Sequence, residues 1–455
     1  MDFATRQYNH NFRMDPIVRS LMDTDFYKFL MAQLIYEKHP QTQVRFSLTN
    51  RTRDVPLAEI IDLAELKDQL DHVQSLRFEK NELIWLRGQT FYGMEGIFKP
   101  GFINQLEALR LPDYELTVDE ESGQFIFHTE ANWIQSTWWE MHALEIVNEM
   151  RYRAIMRDFS RSCLDIMYAR AKVKLDAKLR RLAQVEGLTV SDFGTRRRHS
   201  HLWQEHCLLA AQEILGDKFV GTSNAFFAQK HSMDAKGTNA HELPMVYAAL
   251  AGGDDDQLAK SQYDVLQDWQ ALYGENLRVF LPDTFGTTQF LEKAPGWVDW
   301  WKGARPDSKP PVEAGEELIN WWKARGQDPK KKLIIFADGL DVQTGLTEFD
   351  VDGLNAQPFT PMGSDMVGVF NRFRGETNPT FGWGTTFTND FVGCVPGKPG
   401  LMKPVSLVCK VQSANNQPAI KLSDNPTKAT GPAGTVDRYM RVFGTGERVA
   451  KEVFV

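Results

Sequence analysis

From about residue 187 onward, short polar phrases bearing glycine recur along the chain, most of them directly after an apolar or β-branched run. They are Asp-Phe-Gly-Thr-Arg-Arg-Arg (192–198), Gly-Thr-Ser-Asn (221–224), Gly-Thr-Asn-Ala-His-Glu (237–242), Pro-Asp-Thr-Phe-Gly-Thr (282–287), Arg-Pro-Asp-Ser (305–308), Asp-Gly-Leu-Asp (338–341) and Gly-Trp-Gly-Thr (382–385). The clearest apolar approaches are Leu277 to Leu281 and Leu333 to Phe336, and helical stretches such as Ala314 to Lys323 lie between phrases. Strand, polar turn and helix, repeated, predict a parallel α/β architecture. In an α/β barrel the functional groups sit at the C-terminal strand ends, where these phrases fall. The spacing is irregular, which excludes a short-repeat solenoid.

The expected fold class is therefore α/β. A barrel-like domain spans residues 151–399, and a mixed α+β N-terminal domain spans 1–150. In the latter, Leu21 to Tyr36 has helical periodicity with Asp23 or Thr24 as N-cap, and Val44 to Leu48 reads as a short strand. Residues 129–160 read as helical through Trp133, Trp138, Leu144, Ile146, Val147 and Met150, an apolar stripe that core packing explains. Residues 250–262, with Gly252-Gly253-Asp254-Asp255-Asp256, read as an exposed, solvated loop. Residues 392–404 carry three glycines and three prolines and read as a loop leaving the barrel. Two strands follow around Asn415-Asn416, a hairpin signal, so residues 400–455 are expected to pack back on the N-terminal domain.

The chain has 455 residues, 42% of them apolar, which is ample for a large core. It carries 52 basic and 60 acidic residues, net −8, so nucleic acid is a poor default partner. A local basic pocket for small anions remains compatible with that balance. Cys163, Cys207, Cys394 and Cys409 form no C-x-x-C pair and read as reduced thiols. No apolar run approaches bilayer length and no apolar leader precedes the first motif, so a cytoplasmic protein without membrane contact is expected.

Several phrases can carry chemistry. In Gly382-Trp-Gly384-Thr385 the glycines let backbone N–H groups approach an anion, and a following helix start adds a positive dipole end. Alone it reads equally as a tight turn. Paired with Asp338-Gly339-Leu340-Asp341 at a neighbouring strand end, it resembles a phosphate cup. Arg196-Arg197-Arg198 is a charge run, ordinarily solvated, yet its place at a strand end suits at least one arginine to phosphate or carboxylate. His241-Glu242 fails the zinc pattern, because position 245 is Met245 and Pro244 disfavours the required helix. A structural histidine, a general base and a phosphate-accepting nucleophile remain open, with Glu242 as an acid that orients the ring. Asp283, Asp307, Asp338 and Asp341 are strand-end carboxylates that could bind ribose hydroxyls or hydrated magnesium, though each taken alone reads first as a turn or capping aspartate.

Together these phrases resemble the nicotinate phosphoribosyltransferase family, from Asp23-Thr-Asp-Phe-Tyr-Lys-Phe-Leu-Met31 to Lys421-Leu-Ser-Asp-Asn-Pro-Thr-Lys428. The order of Phe-Gly-Thr-Arg-Arg-Arg, Gly-Thr-Ser-Asn and Gly-Thr-Asn-Ala-His-Glu is the specific part. The resemblance implies an ATP-dependent, ligase-classed enzyme of NAD biosynthesis. Nicotinate, phosphoribosyl pyrophosphate and ATP (a co-substrate) would be its small-molecule partners, and Mg2+ its cofactor. It implies phosphorylation of His241, with Glu242 beside it in the catalytic pair. It implies stacking of the pyridine ring between Phe193 and a Tyr27 supplied by a neighbouring subunit, hence a homodimer. Arg196 and Ser223 would complete the nicotinate site, where nicotinamide-using relatives carry an aspartate that would repel the nicotinate carboxylate. Thr195, Arg305, Asp307, Asp338, Gly339, Gly382, Gly384 and Thr385 would hold the phosphoribosyl moiety and its phosphate. One departure stands out: Lys309-Pro310 replaces the Gly-Asp pair usual after Arg305-Pro-Asp307-Ser308. The competing expectations are a nicotinamide- or quinolinate-specific relative and a non-catalytic phosphate-binding barrel.

Overall fold

The computed structural model describes residues 15–344, 365–424, 429 and 431–444. Asn425 to Lys428, the end of the motif that opens at Lys421, lie outside the described residues. Three strands arise early: β1 (Gln43–Asn50), β2 (Tyr114–Asp119) and β3 (Gln124–Asn132). Six follow the polar-phrase region: β4 (Val190–Asp192), β5 (Phe219–Thr222), β6 (Val279–Phe280), β7 (Gly303–Ala304), β8 (Leu333–Phe336) and β9 (Asn378–Trp383). The tail adds β10 (Leu407–Ala414) and β11 (Gln417–Pro418).

β1 buries Val44, Phe46, Leu48 and Asn50 and turns the residues between them outward, the period of two that a one-faced strand requires. It lies at the centre of an antiparallel sheet ordered β11-β10-β1-β3-β2. The tail strand β10 thus pairs along β1, from Val44 opposite Ala414 to Asn50 opposite Leu407. Asn415 and Asn416 make the turn between β10 and β11 with φ of 45° and 63°, values that asparagine tolerates better than most residues.

The second sheet is parallel, in the order β5-β4-β9-β8-β7-β6. That order is cyclic in sequence, but β5 and β6 are both edges, so the described strands do not close into a hydrogen-bonded ring. Residues 235–239 occupy the gap: Ala235 bridges to Thr222, and the Asn239 amide reaches Val279 O at 3.5 Å. One apolar core runs between the two sheets, with Trp133, Trp138, Trp139, Trp301 and Trp383 all buried within it.

Five helices matter for the site: α1 (Tyr27–Lys38), α2 (Trp139–Met156), α3 (Arg161–Ala183), α4 (Glu242–Leu250) and α5 (Pro311–Ala324). α1 begins later than expected. Asp23 and Thr24 do not cap it; both are buried, and Asp23 is taken by Arg198. The expected helix over 129–160 is interrupted, since β3 runs to Asn132 and α2 starts at Trp139. The expected loop over 250–262 is mostly helix: Asp254 caps a helix over Asp255–Leu272 by accepting from Asp256 N and Gln257 N, and Asp255 pairs with Arg438. An acidic run suits a helix N-terminus, where it meets free N–H groups and the positive dipole end.

Candidate active site

His241 stands at the N-terminal boundary of α4, on the loop that fills the gap between β5 and β6. Its Nδ1 lies 2.9 Å from Thr284 Oγ1. Its Nε2 lies 3.0 Å from Asp307 Oδ2, 2.8 Å from Lys421 Nζ and 3.4 Å from Asp283 Oδ2. Burial lowers the pKa of the ring; Asp283 opposes this and Lys421 adds to it. Burial would raise Asp307, but its hydrogen bond to His241 and the charges around it, Lys421 and Arg305 among them, hold it well below the carboxylate range. The site therefore sets an imidazole whose protonation burial disfavours against an ionised Asp307, with Asp283 and Lys421 on the same ring nitrogen. Lys421 also reaches Asp283 Oδ2 at 3.1 Å, whereas Asp283 Oδ1 is buried without a hydrogen-bond partner. His241, Asp283 and Asp307 offer three ligand atoms within 4.8 Å of one another.

Glu242 does not orient this ring. Its carboxylate is buried on the other side, accepting from Trp133 Nε1 at 2.6 Å, Thr137 Oγ1 at 2.7 Å and Lys28 Nζ at 2.6 Å. Consecutive residues at a helix start point about 100° apart, so adjacency in sequence did not make the pair adjacent in space.

The three arginines divide the work. Arg198 is fully buried, with two nitrogens on the two Asp23 oxygens at 2.7 and 2.9 Å, and it serves the core. Arg196 is 42% exposed and faces the cleft, 3.9 Å from Glu140. Arg197 has its pKa pushed down to about 10 by burial, then by Arg196, with Arg51 adding to the effect and Asp338 opposing it. Lys410, on β10, is pushed down to about 7 by burial and then by Lys421, Arg51 and Arg196. Arg51, Arg196, Arg197, Lys410 and Lys421 thus form a pool of cations that repel one another, a cost that a polyanionic ligand relieves. Arg51 follows β1, so the antiparallel sheet contributes to a site otherwise built from parallel strand ends.

Phe193 follows β4 and lies on Gly382: a Cβ at 382 would come 3.1 Å from its ring. Tyr27 is the first residue of α1, and the Gly237 backbone packs against it so closely that a Cβ there would lie 2.9 Å from Tyr27 N. The charges of Arg196, Arg305, Glu140 and Asp25 all act on its phenol.

Two expected contact residues lie beneath the site instead. Ser223 is fully buried; its Oγ donates to Asp25 Oδ1 at 2.6 Å and its carbonyl accepts from Phe26 N, so it seats the segment that carries Tyr27. Thr195 is also fully buried, accepting from Gln204 Nε2 at 3.1 Å and Asn224 Nδ2 at 3.4 Å.

The two glycine turns come together as expected. β8 and β9 are neighbours, and Thr386 Oγ1 donates to Leu340 O at 2.8 Å, tying one turn to the other. Gly339 has φ of 60°, with open space where a Cβ would stand, and Gly384 meets only Phe193 O at 3.7 Å. Thr385 begins the short helix after Gly384. Asp338 lies near enough to Arg51 and Arg197 to act on both. Arg305 donates to Asn239 O at 2.8 Å, and Asp307 gives one oxygen to His241. Lys309-Pro310 does not add a cation to the cleft. Lys309 turns to Glu317 and to Thr288 Oγ1 at 3.0 Å, and Pro310 precedes Pro311 at the start of α5. Ser308 is held by Asp424 at 2.8 Å.

Asp25, Arg51, Thr284, Lys410 and Lys421 belong to this site without having been singled out for it. Asp25, Thr284 and Lys421 lay inside quoted motifs, whereas Arg51 and Lys410 had no signal.

A histidine held between two carboxylates and a lysine, set beside open glycine turns and a cluster of basic side chains, suits an enzyme that handles phosphorylated small molecules. Family models agree and are more specific. The nicotinate phosphoribosyltransferase (NAPRTase) family matches residues 188–447, and the N-terminal domain of that family matches residues 22–148. This chain belongs to the nicotinate phosphoribosyltransferase family. Its structure is similar to that of nicotinate phosphoribosyltransferase from Vibrio cholerae, with a TM-score of 0.80 and 26% identity over 95% of each chain. It shares its fold with a protein from Saccharomyces cerevisiae described by the same activity (TM-score 0.78, 24% identity, 95% of this chain and 100% of that one). It also shares it with the Porphyromonas gingivalis enzyme (TM-score 0.76, 23% identity, 94% and 100%). Among the described residues no helix is long and apolar enough to cross a membrane.

Proposed function

We propose that this chain joins nicotinate to phosphoribosyl pyrophosphate, giving nicotinate mononucleotide and pyrophosphate, and that ATP drives the reaction through a phosphorylated His241. The setting of His241 carries the reading. The imidazole becomes nucleophilic when its one ring proton sits on Nδ1 and is donated to Thr284: the Nε2 hydrogen bond to Asp307 is then given up, and the lone pair at Nε2 attacks the γ-phosphorus of ATP as ADP leaves. Lys421, 2.8 Å away, neutralises charge on the incoming phosphoryl group. The donor set suits magnesium, a cation that prefers oxygen ligands: Asp307 is ionised and Asp283 has a free buried oxygen, so these two would hold it. When bound, the ion would neutralise phosphate oxygens.

Transfer itself needs little covalent work from the protein. The pyridine lies between Phe193 and Tyr27 with its carboxylate toward Arg196, which aims the ring nitrogen at C1 of the ribose. The turns at 338–341 and 382–385 receive the 5′-phosphate. Arg51, Arg197 and Lys410 neutralise the pyrophosphate as it departs and C1 gains oxocarbenium character. Phosphohistidine adds roughly two negative charges, by analogy with other phosphorylated side chains. That charge would strengthen magnesium binding at Asp283 and Asp307, and the ion would in turn favour phosphoribosyl pyrophosphate; hydrolysis of the phosphohistidine then aids release.

The test is product formation from labelled phosphoribosyl pyrophosphate with nicotinate, nicotinamide or quinolinate, with and without ATP. Nicotinate should be preferred and stimulated by ATP. Preference for another pyridine, or indifference to ATP, would overturn the proposal.

A further inference from the structure

α3 carries Lys174, Lys178 and Arg181 at spacings of four and three, which puts them on one face. Each cation meets an acid from the segments that follow β8 and β9. Lys174 reaches Asp390 Oδ1 at 2.6 Å and Val392 O at 2.9 Å. Arg181 reaches Asp365 Oδ2 at 3.2 Å, and Asp365 in turn accepts from Gln343 N and bridges to Asp341. Lys178 sits between them and is nearly fully buried. Its ammonium pairs with Asp341 Oδ1 at 2.6 Å and Asp390 Oδ2 at 2.7 Å, and lies 6.0 Å from the centre of the Trp383 ring.

These contacts join the two glycine turns from below. Asp341 closes the turn that contains Gly339. Trp383 lies inside the other turn, and its indole nitrogen donates to Thr386 Oγ1 at 2.8 Å, the same hydroxyl that donates to Leu340 O. A buried ammonium shared by two carboxylates from different loops fixes their separation, because moving either loop would strand a buried charge. Burial alone would lower the lysine's pKa, but Asp390 and Asp341 raise it, so the ammonium stays charged. Lys178 itself offers nothing to the cleft.

We infer that Lys178 is a positioning residue for the 5′-phosphate: it sets the distance between the 338–341 and 382–385 turns so that both can address one phosphate group. The inference rests on the proposed use of those turns as the phosphate cup. It concerns spacing, so its signature is selective loss of affinity for ligands bearing the 5′-phosphate.

Ribose 5-phosphate is a suitable probe, because it carries that phosphate without the pyrophosphate. Lys178→Met keeps the length of the side chain and removes its charge. It should raise the inhibition constant of ribose 5-phosphate and the KM of phosphoribosyl pyrophosphate roughly tenfold. The inhibition constant of pyrophosphate and the KM of nicotinate should stay within about twofold, and Lys178→Arg should restore most of the loss. Asp341→Asn is the second variant, for use if Lys178→Met does not fold; a smaller loss in the same direction is expected. Gly384→Val tests the cup directly. If Gly384→Val weakens ribose 5-phosphate while folded Lys178→Met or Asp341→Asn does not, the inference alone falls. If Gly384→Val has no effect, the cup reading falls and the inference with it. An equal loss for ribose 5-phosphate and pyrophosphate would mean general loosening and would also overturn the inference.

Discussion

Lys421→Met removes the ammonium that contacts His241 Nε2 and leaves the ring between Asp283 and Asp307. Two unit charges 2.8 Å apart interact by about 6 kcal/mol at an effective dielectric near 20. That is a ceiling on how strongly Lys421 disfavours a protonated imidazole. Even a quarter of it, about 1.4 kcal/mol, changes the ring's proton affinity roughly tenfold. The depressed pKa of His241 keeps the ring neutral, and hence nucleophilic, through neutral pH; phosphorylation is lost as pH falls through that depressed value. In Lys421→Met the acid limb of the profile should move toward higher pH. The assay is the initial rate of phosphoenzyme formation from γ-labelled ATP across pH, with Lys421→Arg as the conservative control. An acid limb in Lys421→Met that coincides with that of the wild type would refute the reasoning, whatever happens to the maximal rate.

Lys410→Met should flatten the pH dependence of phosphoribosyl pyrophosphate binding. In the wild type, affinity should weaken as pH rises through about 7 and Lys410 loses its proton, which isothermal titration at several pH values would show. Ser223→Asp would place a second carboxylate against Asp25, whose pKa burial already raises. The variant should lose about 3 kcal/mol of stability at neutral pH and regain it as pH falls and the pair shares a proton, read from urea melts at pH 5 and 7.5. Glu242→Gln should cost about 2 kcal/mol, because Lys28 loses one of its two carboxylates and keeps Glu140, while folded protein keeps a wild-type yield of phosphoenzyme. A normal melting temperature with lost phosphorylation would reverse that assignment.

Local signals in this chain were legible where one short segment decides the outcome. Leu333 to Phe336 is four apolar residues ahead of a glycine turn, and it is a strand over those same residues. Asn415-Asn416 needed only left-handed backbone, and the turn is there. Readings failed where a distant partner decides. Asp23 looks like a helix cap, but Arg198 claims it from 175 positions away. Glu242 follows His241, yet its partners Lys28 and Trp133 come from elsewhere in the chain. Lys410 and Arg51 carry no local mark of function, because they reach the cleft only once β10 pairs with β1. Of the site, the aromatic Phe193, the glycine turns and the histidine were readable from motifs. Lys421, Asp283 and Asp307 each lay in a motif, but their convergence on that histidine was not readable, since three separate loops bring them together.

The account depends most on His241 accepting phosphate, and the direct test is incubation of the protein with magnesium and γ-labelled ATP, followed by mapping of acid-labile phosphate. The expected result is one labelled residue, His241, with attachment at Nε2 and loss of label when phosphoribosyl pyrophosphate and nicotinate are added. His241→Ala should then retain slow transfer and lose stimulation by ATP. Full ATP stimulation without acid-labile phosphate, or phosphate on another residue, would contradict the account.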